Sequence, residues 1–284
     1  MSLSEGLSAW IGEVAGGRPG PLIPLSGATS ADVFGVEVAG LQLVVKHFVF
    51  PAFVDEEPDR AIHEAEILDH VAAHSTLPVP RIVAVDPDGS RSGAPAVLMT
   101  RLEGSGGLTA VTPAALEQLA DRAAEIHDIP IRGVRWRHER YNQPESAFVP
   151  SWATDAGLWR EAFERAAVDQ PYDPVFIHRD YHPGNVLWRE GTATGVVDWL
   201  YACVGPAGED FGRVVVNLAL QFGTIAAGEF VALIGSHHAP FWTLACWMDW
   251  LPFDKGAGAV EAWGADGERS AYEALLHLIM QSRS

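Results

Sequence analysis

Two β-rich runs open the patterned part of the chain. Ala31–Val38 (ADVFGVEV) and Leu41–Phe48 (LQLVVKHF) are separated by Ala39-Gly40, a spacing that predicts a hairpin. Between Asp55 and Ala73 the period changes. Ile62, Ala65, Ile67, Leu68, Val71 and Ala72 recur at near-helical intervals, acidic residues fill the first turn, and Pro78 and Pro80 end the segment. Arg81–Val85 and Ala96–Leu102 predict two further strands around the polar turn DPDGSRSG. The first hundred residues therefore predict strand, strand, helix, strand, strand.

Glu103–Gly107 (EGSGG) is short and glycine-rich, and it marks a boundary. It divides the chain into a β-rich part, residues 1–102, and a mostly helical part, residues 103–284. Thr112-Pro113 pairs a capping residue with Pro in the first turn, and Leu116, Leu119, Ala120, Ala123 and Ile126 follow as one apolar stripe. Ser151–Val168, Phe211–Phe222, Gly228–Ile234, Phe241–Leu251 and Gly267–Gln281 predict further helices. Val175–Trp188 and Gly195–Leu200 read as short strands around loops. The fold class is α+β.

Composition narrows the partners. With 284 residues, 48% hydrophobic and 20% charged, the chain has the make-up of a globular protein with a full core. Its net charge of −18 opposes nucleic acid and anionic membrane surfaces and favours a cationic small molecule. Two cysteines, Cys203 and Cys246, allow at most one disulfide and exclude a four-cysteine zinc site. The first residues carry neither a basic region nor a sustained apolar core of a leader, and no stretch suits a membrane helix. A cytoplasmic, reducing setting is the expectation. The sequence leaves the oligomeric state open.

The chemistry concentrates in Phe176–Trp188, FIHRDYHPGNVLW. It holds H-x-D-x-x-x-x-N between apolar flanks, and Gly195–Trp199 (GVVDW) supplies a further Asp after a short apolar run. This resembles the catalytic and metal-binding loops of protein-kinase-like phosphotransferases. On that resemblance Asp180 orients the attacking hydroxyl and accepts its proton. Asn185 and Asp198 offer the hard oxygen ligands that magnesium needs. His178 braces the loop. Lys46, one of only two lysines, sits on the second strand in V-V-K-H-F, where a kinase-like lysine reaches the phosphates. Glu64 and Glu66 on the next helix can each orient it, and Glu64 fits the family pattern better. Leu25–Phe34 is a small-residue turn whose amides and Ser30 can cover phosphates.

The chain as a whole resembles the aminoglycoside phosphotransferase family. The likeness runs through L-S-G-A-T-S, V-V-K, H-E-A-E-I-L, L-P-V-P-R-I-V-A-V-D, V-L-M-T-R-L-E-G, A-E-I-H, H-R-D-Y-H-P-G-N-V-L, V-V-D-W and G-P-A-G-E-D-F-G-R. It implies a two-lobed protein-kinase-like fold, Mg2+, and ATP or GTP between the lobes. The adenine would meet backbone near Thr100 to Leu102. Asp210 matches an acidic position that holds the catalytic loop, and it also suits a helix N-terminus. Two residues depart from the pattern: Arg179 stands where Gly is usual and Tyr181 where Leu is common. The implied acceptor is a hydroxylated, amine-bearing molecule of the aminoglycoside kind, with Asp249, Asp254 and Glu261 as candidate partners for its cations. Choline, homoserine or a macrolide is the alternative acceptor, and a catalytically silent module is the rival of another class. The motifs His70/His74 and His237-His238 read as surface histidines.

Overall fold

The computed structural model describes residues 3–25, 31–50 and 59–281. The chain divides into two compact units, Met1–Ser105 with Thr194–Ala202, and Gly106–Ala193 with Cys203–Ser284.

The first unit is built on an antiparallel sheet of β1 (Ile23–Pro24), β2 (Asp32–Val38), β3 (Leu41–His47), β4 (Ile82–Asp86) and β5 (Ala96–Thr100) in the order β1-β2-β3-β5-β4. Ala39 and Gly40 both have left-handed φ, 50° and 83°, as a two-residue hairpin turn requires. Lys46 lies opposite Val33 on one side and Val97 on the other, so it occupies a central strand.

One face of the sheet carries Val36, Val38, Leu43, Val45, Ala96 and Leu98. It is covered by Leu7, Trp10 and Ile11 of α1 (Leu3–Ala15). This helix corrects the predicted order, which began with a strand. Its Leu7, Trp10, Ile11 and Val14 are spaced as one helical face. Helix α2 (Arg60–His74) buries Arg60, His63, Glu64, Ile67, Leu68 and Val71, a stripe at helical spacing that is polar in its first turns and apolar afterwards.

The second unit is mostly helical: α3 (Pro113–His127), α4 (Ala156–Ala166), α5 (Ala207–Phe222), α6 (Thr224–Ile234), α7 (Pro240–Asp249), α8 (Ala257–Ala262) and α9 (Asp266–Gln281). Thr112 caps α3 by accepting from the Ala115 amide at 3.2 Å. Helix α5 is buried on all sides from Glu209 to Ala219. Gly208 and Gly212 let it approach α7, since a Cβ at either would lie under 3.0 Å from Trp242. Trp159, Trp247 and Tyr272 are fully buried, and the Trp247 and Tyr272 rings stack at 4.5 Å.

Two short strands, β6 (Pro174–Ile177) and β9 (Cys203–Pro206), pair antiparallel with Ile177 opposite Cys203. Strand β7 (Val186–Arg189) follows the loop after β6, and β8 (Thr192–Val196) leads the chain back to the first unit. Cys203 and Cys246 are free and buried. Among the described residues no helix is long and apolar enough to cross a membrane.

Candidate active site

In the first unit the Lys46 ammonium lies 2.6 Å from Glu64 Oε1 and 2.6 Å from Asp198 Oδ1. Strand β3 supplies the lysine and α2 supplies Glu64. The segment after β8 supplies Asp198, 152 residues along the chain from Lys46. Glu64 rather than Glu66 is the partner. Burial pulls the Lys46 pKa down, but the Asp198 and Glu64 carboxylates outweigh it and hold it above the usual lysine value. Burial pushes the Glu64 carboxyl up against the opposing pull of Lys46.

Asp198 has a left-handed φ of 68°, a conformation that Asp tolerates better than most residues. Its neighbour Trp199 is fully buried and donates its indole N–H to Val196 O at 3.0 Å. The Val196 amide donates to Pro78 O at 3.0 Å, which ties this segment to the first unit.

In the second unit β6 delivers the loop 178–185, which closes in a 3-10 turn, Pro183–Asn185. Its anchor is Asp210, fully buried in the first turn of α5. Asp210 caps no amide of its own helix. It accepts from the His178 amide at 2.9 Å and the Arg179 amide at 2.7 Å, with His127 Nε2 3.1 Å away. The Tyr181 hydroxyl donates to Leu119 O at 2.8 Å, a bond that Leu could not make.

Arg179 has φ 68°, which explains why Gly suits the position. Here its guanidinium donates to Glu139 O and lies 4.1 Å over the Tyr141 ring. Asp180 is left partly exposed. Asn185 Nδ2 donates to Asp180 O at 2.9 Å and to Asp180 Oδ2 at 3.2 Å. His182 Nδ1 accepts from the Gly184 amide at 3.0 Å, so its proton sits on Nε2, 3.8 Å from Asp180 Oδ2.

Other expected positions fare differently. The Thr100 amide donates to Arg81 O and the Arg101 amide to Gln42 O, so Leu102 is the first residue of that stretch beyond the sheet. Ser30 and most of its turn lie outside the described residues, as does the side chain of Asp254.

Asp249 is no open carboxylate. Its Oδ2 accepts from Arg213 at 3.0 Å and its Oδ1 from the Asn142 amide at 3.0 Å. Arg213 also reaches Glu209 Oε1 at 3.3 Å, so one cation serves two buried acids. Burial raises the Asp249 pKa to about 6 against the pull of Arg213. Glu261 accepts from the Ser151 amide at 2.8 Å and its hydroxyl at 2.5 Å.

Sequence reasoning missed Arg60 and His63 on α2. Arg60 Nη1 donates to the Tyr201 hydroxyl at 3.2 Å, and His63 Nε2 lies 2.8 Å from Ala202 O. Their signal was present as polar residues on the buried stripe of an amphipathic helix. A pocket of about 440 Å³ in the second unit, lined by Phe241, Trp242, Leu244, Ile279 and Arg165 among others, includes no residue of the 178–185 loop.

The donor chemistry fits magnesium. Asn185 turns its amide nitrogen to Asp180, which leaves its carbonyl oxygen on the other side of the amide group. In the first unit the Asp198 carboxylate is, taken by itself, likewise a hard oxygen donor.

Comparison with known proteins gives a consistent picture. The chain's fold matches a thermostable mutant of aminoglycoside phosphotransferase APH(4)-Ia, solved as a ternary complex with ADP and hygromycin B, at TM-score 0.68 and 16% identity over 96% of this chain and 98% of that one. It matches macrolide 2'-phosphotransferase MphH from Brachybacterium faecium at TM-score 0.62 and 20% identity over 96% and 98%. A GDP complex of a point mutant of aminoglycoside 2'-phosphotransferase-IIIa matches at TM-score 0.64 and 18% identity over 90% of each chain. No curated protein sequence matches the chain significantly. The model of the phosphotransferase enzyme family (APH) matches residues 21–251. With an α+β fold of the protein-kinase-like kind and a family match over most of its length, the chain belongs to the phosphotransferase enzyme family and is a small-molecule phosphotransferase.

Proposed function

We propose that the protein transfers the γ-phosphoryl group of ATP or GTP to a hydroxyl of a small molecule. The observation that carries this reading is the pairing of the buried Lys46 with both the buried Glu64 and the partly exposed Asp198. It fits a cation poised for phosphate oxygens and a carboxylate poised for a metal. Asp180 takes the role of the carboxylate that orients the acceptor hydroxyl and receives its proton. Its partial exposure and its tether to Asn185 support that role. Asp210 and His178 hold the loop. Leu102 and the backbone from Thr100 onward, with Ser30, are the proposed nucleotide contacts. Asn185 and Asp198 are the residues that would hold magnesium, which when bound would supply charge neutralisation at the phosphates.

The acceptor we favour is amine-bearing and aminoglycoside-like. The net charge of −18 supports it, and so does the hygromycin B complex of a fold neighbour. Asp249 and Glu261 no longer support it, because their oxygens are engaged within the protein. Choline, homoserine and macrolides stay in the test set, a macrolide because MphH shares the fold.

The experiment is a coupled assay of ADP or GDP release with Mg2+ and a panel of hydroxylated amines and macrolides. Acceptor-dependent release that disappears in Asp180→Asn supports the reading. Nucleotide turnover indifferent to every acceptor and to Asp180 overturns it. A KM that rises with ionic strength marks a cationic acceptor, since exposed charges are screened beyond about 8 Å at physiological salt.

A further inference from the structure

Three polar side chains of α2 share one helical face at i, i+3 and i+4: Arg60, His63 and Glu64. All three are buried, at 5%, 8% and 0% exposure, where an amphipathic helix would ordinarily place apolar groups. All three are directed to one short segment. Glu64 meets Lys46, which holds Asp198. His63 Nε2 is 2.8 Å from Ala202 O. A carbonyl only accepts, so Nε2 carries the proton and donates. Arg60 donates to the Tyr201 hydroxyl at 3.2 Å, with its guanidinium 5.6 Å from that ring.

We propose that Arg60 and His63 are positioning residues which latch the 198–202 segment to α2 and thereby fix the Asp198 carboxylate. The inference rests on the reading of Asp198 as a metal ligand. The segment between Asp198 and Ala202 is a turn, with the Ala202 amide donating to Trp199 O at 3.1 Å. A turn holds a carboxylate in place only as firmly as its two ends are held. Lys46 holds the Asp198 end by charge. His63 holds the Ala202 end by a directed bond, and Arg60 holds the intervening Tyr201. Burying an imidazole and a guanidinium is costly unless both are bonded, which gives these polar groups a reason to lie on a core face. Partners bonded directly to a metal ligand typically change metal affinity by about 10–100-fold when removed, and a latch acting through the turn is expected at the low end of that range.

The test uses His63→Leu, which removes the donor, His63→Gln, which restores an N–H, and Tyr201→Phe, which removes only the hydroxyl that Arg60 meets. The first readout is the Mg2+ concentration giving half-maximal ATP hydrolysis without acceptor. His63→Leu is expected to raise it about tenfold, Tyr201→Phe less, and His63→Gln to stay near wild type. The second readout is amide hydrogen exchange of the nucleotide-free, metal-free protein. Amides 199–202 should exchange faster in His63→Leu, while those of residues 64–71 keep their protection. Loss of protection throughout α2 would show a general structural role and overturn the proposal. Unchanged Mg2+ dependence and unchanged exchange at 199–202 would overturn it too. If His63→Leu does not fold, Tyr201→Phe and His63→Gln carry the same comparison. Asp198→Asn is the separate control: full Mg2+-dependent turnover in that variant defeats the reading of Asp198, whatever the latch variants show.

Discussion

The two halves of the candidate machinery are fixed by opposite means. In the first unit the functional side chains hold one another: Lys46, Glu64 and Asp198 form a closed set of charges, with Lys46 and Glu64 buried. In the second unit the backbone is held instead. Asp210 grips the amides of His178 and Arg179, and the carboxylate of the next residue, Asp180, stays partly exposed. A charge meant to meet a phosphate or a metal can wait inside the protein with a partner. A carboxylate meant to meet an incoming hydroxyl cannot, so its precision has to come from the main chain around it.

This contrast can be broken in graded steps. Asp180→Asn removes only the carboxylate proposed to receive the proton and should lower acceptor-dependent turnover by about 10²–10⁴-fold, with a circular dichroism melt like that of wild type. Lys46→Ala should cost about 10²–10³-fold in turnover. It also leaves Glu64 and Asp198 facing each other, so nucleotide affinity by calorimetry should fall with it. Asp210→Asn keeps one acceptor oxygen for two amides. A loss of about 1–3 kcal/mol in urea unfolding is expected, together with a fall in kcat larger than any change in nucleotide KM.

Arg179→Gly trades opposing effects. Relief of the left-handed φ offsets the lost bond to Glu139 O and the lost stacking on Tyr141, so stability should move by no more than about 1 kcal/mol. A separate, pH-dependent effect concerns Asp249, whose pKa is raised by burial to about 6. A carboxyl raised in the folded state binds its proton more tightly than in the unfolded chain. Its contribution is therefore full at pH below the unfolded value of about 4 and is lost as pH rises through 6. Asp249→Asn should flatten that part of the stability profile, measured by urea unfolding between pH 4 and 7.

Much of this was legible in the sequence, and the rest was hidden for physical reasons. Lys46 announced itself as one of only two lysines, placed on the second predicted strand, and the loop by its fixed polar spacing between apolar flanks. Helix α1 was written in Leu7, Trp10, Ile11 and Val14, a stripe easily overlooked when the N-terminus is tested only for a leader. Arg60 and His63 were hidden because periodicity counts apolar residues, and these two occupy core-facing positions as polar ones. The surplus carboxylates misled because their partners are remote in sequence. Asp249 meets an arginine 36 residues away, and Glu261 a serine 110 residues away. Net charge counts such groups as open when the fold has already engaged them.

The most direct test of phosphoryl transfer is the identity of the product. Phosphorus NMR of the wild-type protein with ATP or GTP, Mg2+ and an accepted alcohol should show a new phosphomonoester signal. It should grow in step with the nucleoside diphosphate and be absent with Asp180→Asn. Inorganic phosphate as the sole product with every acceptor, or an ester formed equally fast by Asp180→Asn, would contradict the account.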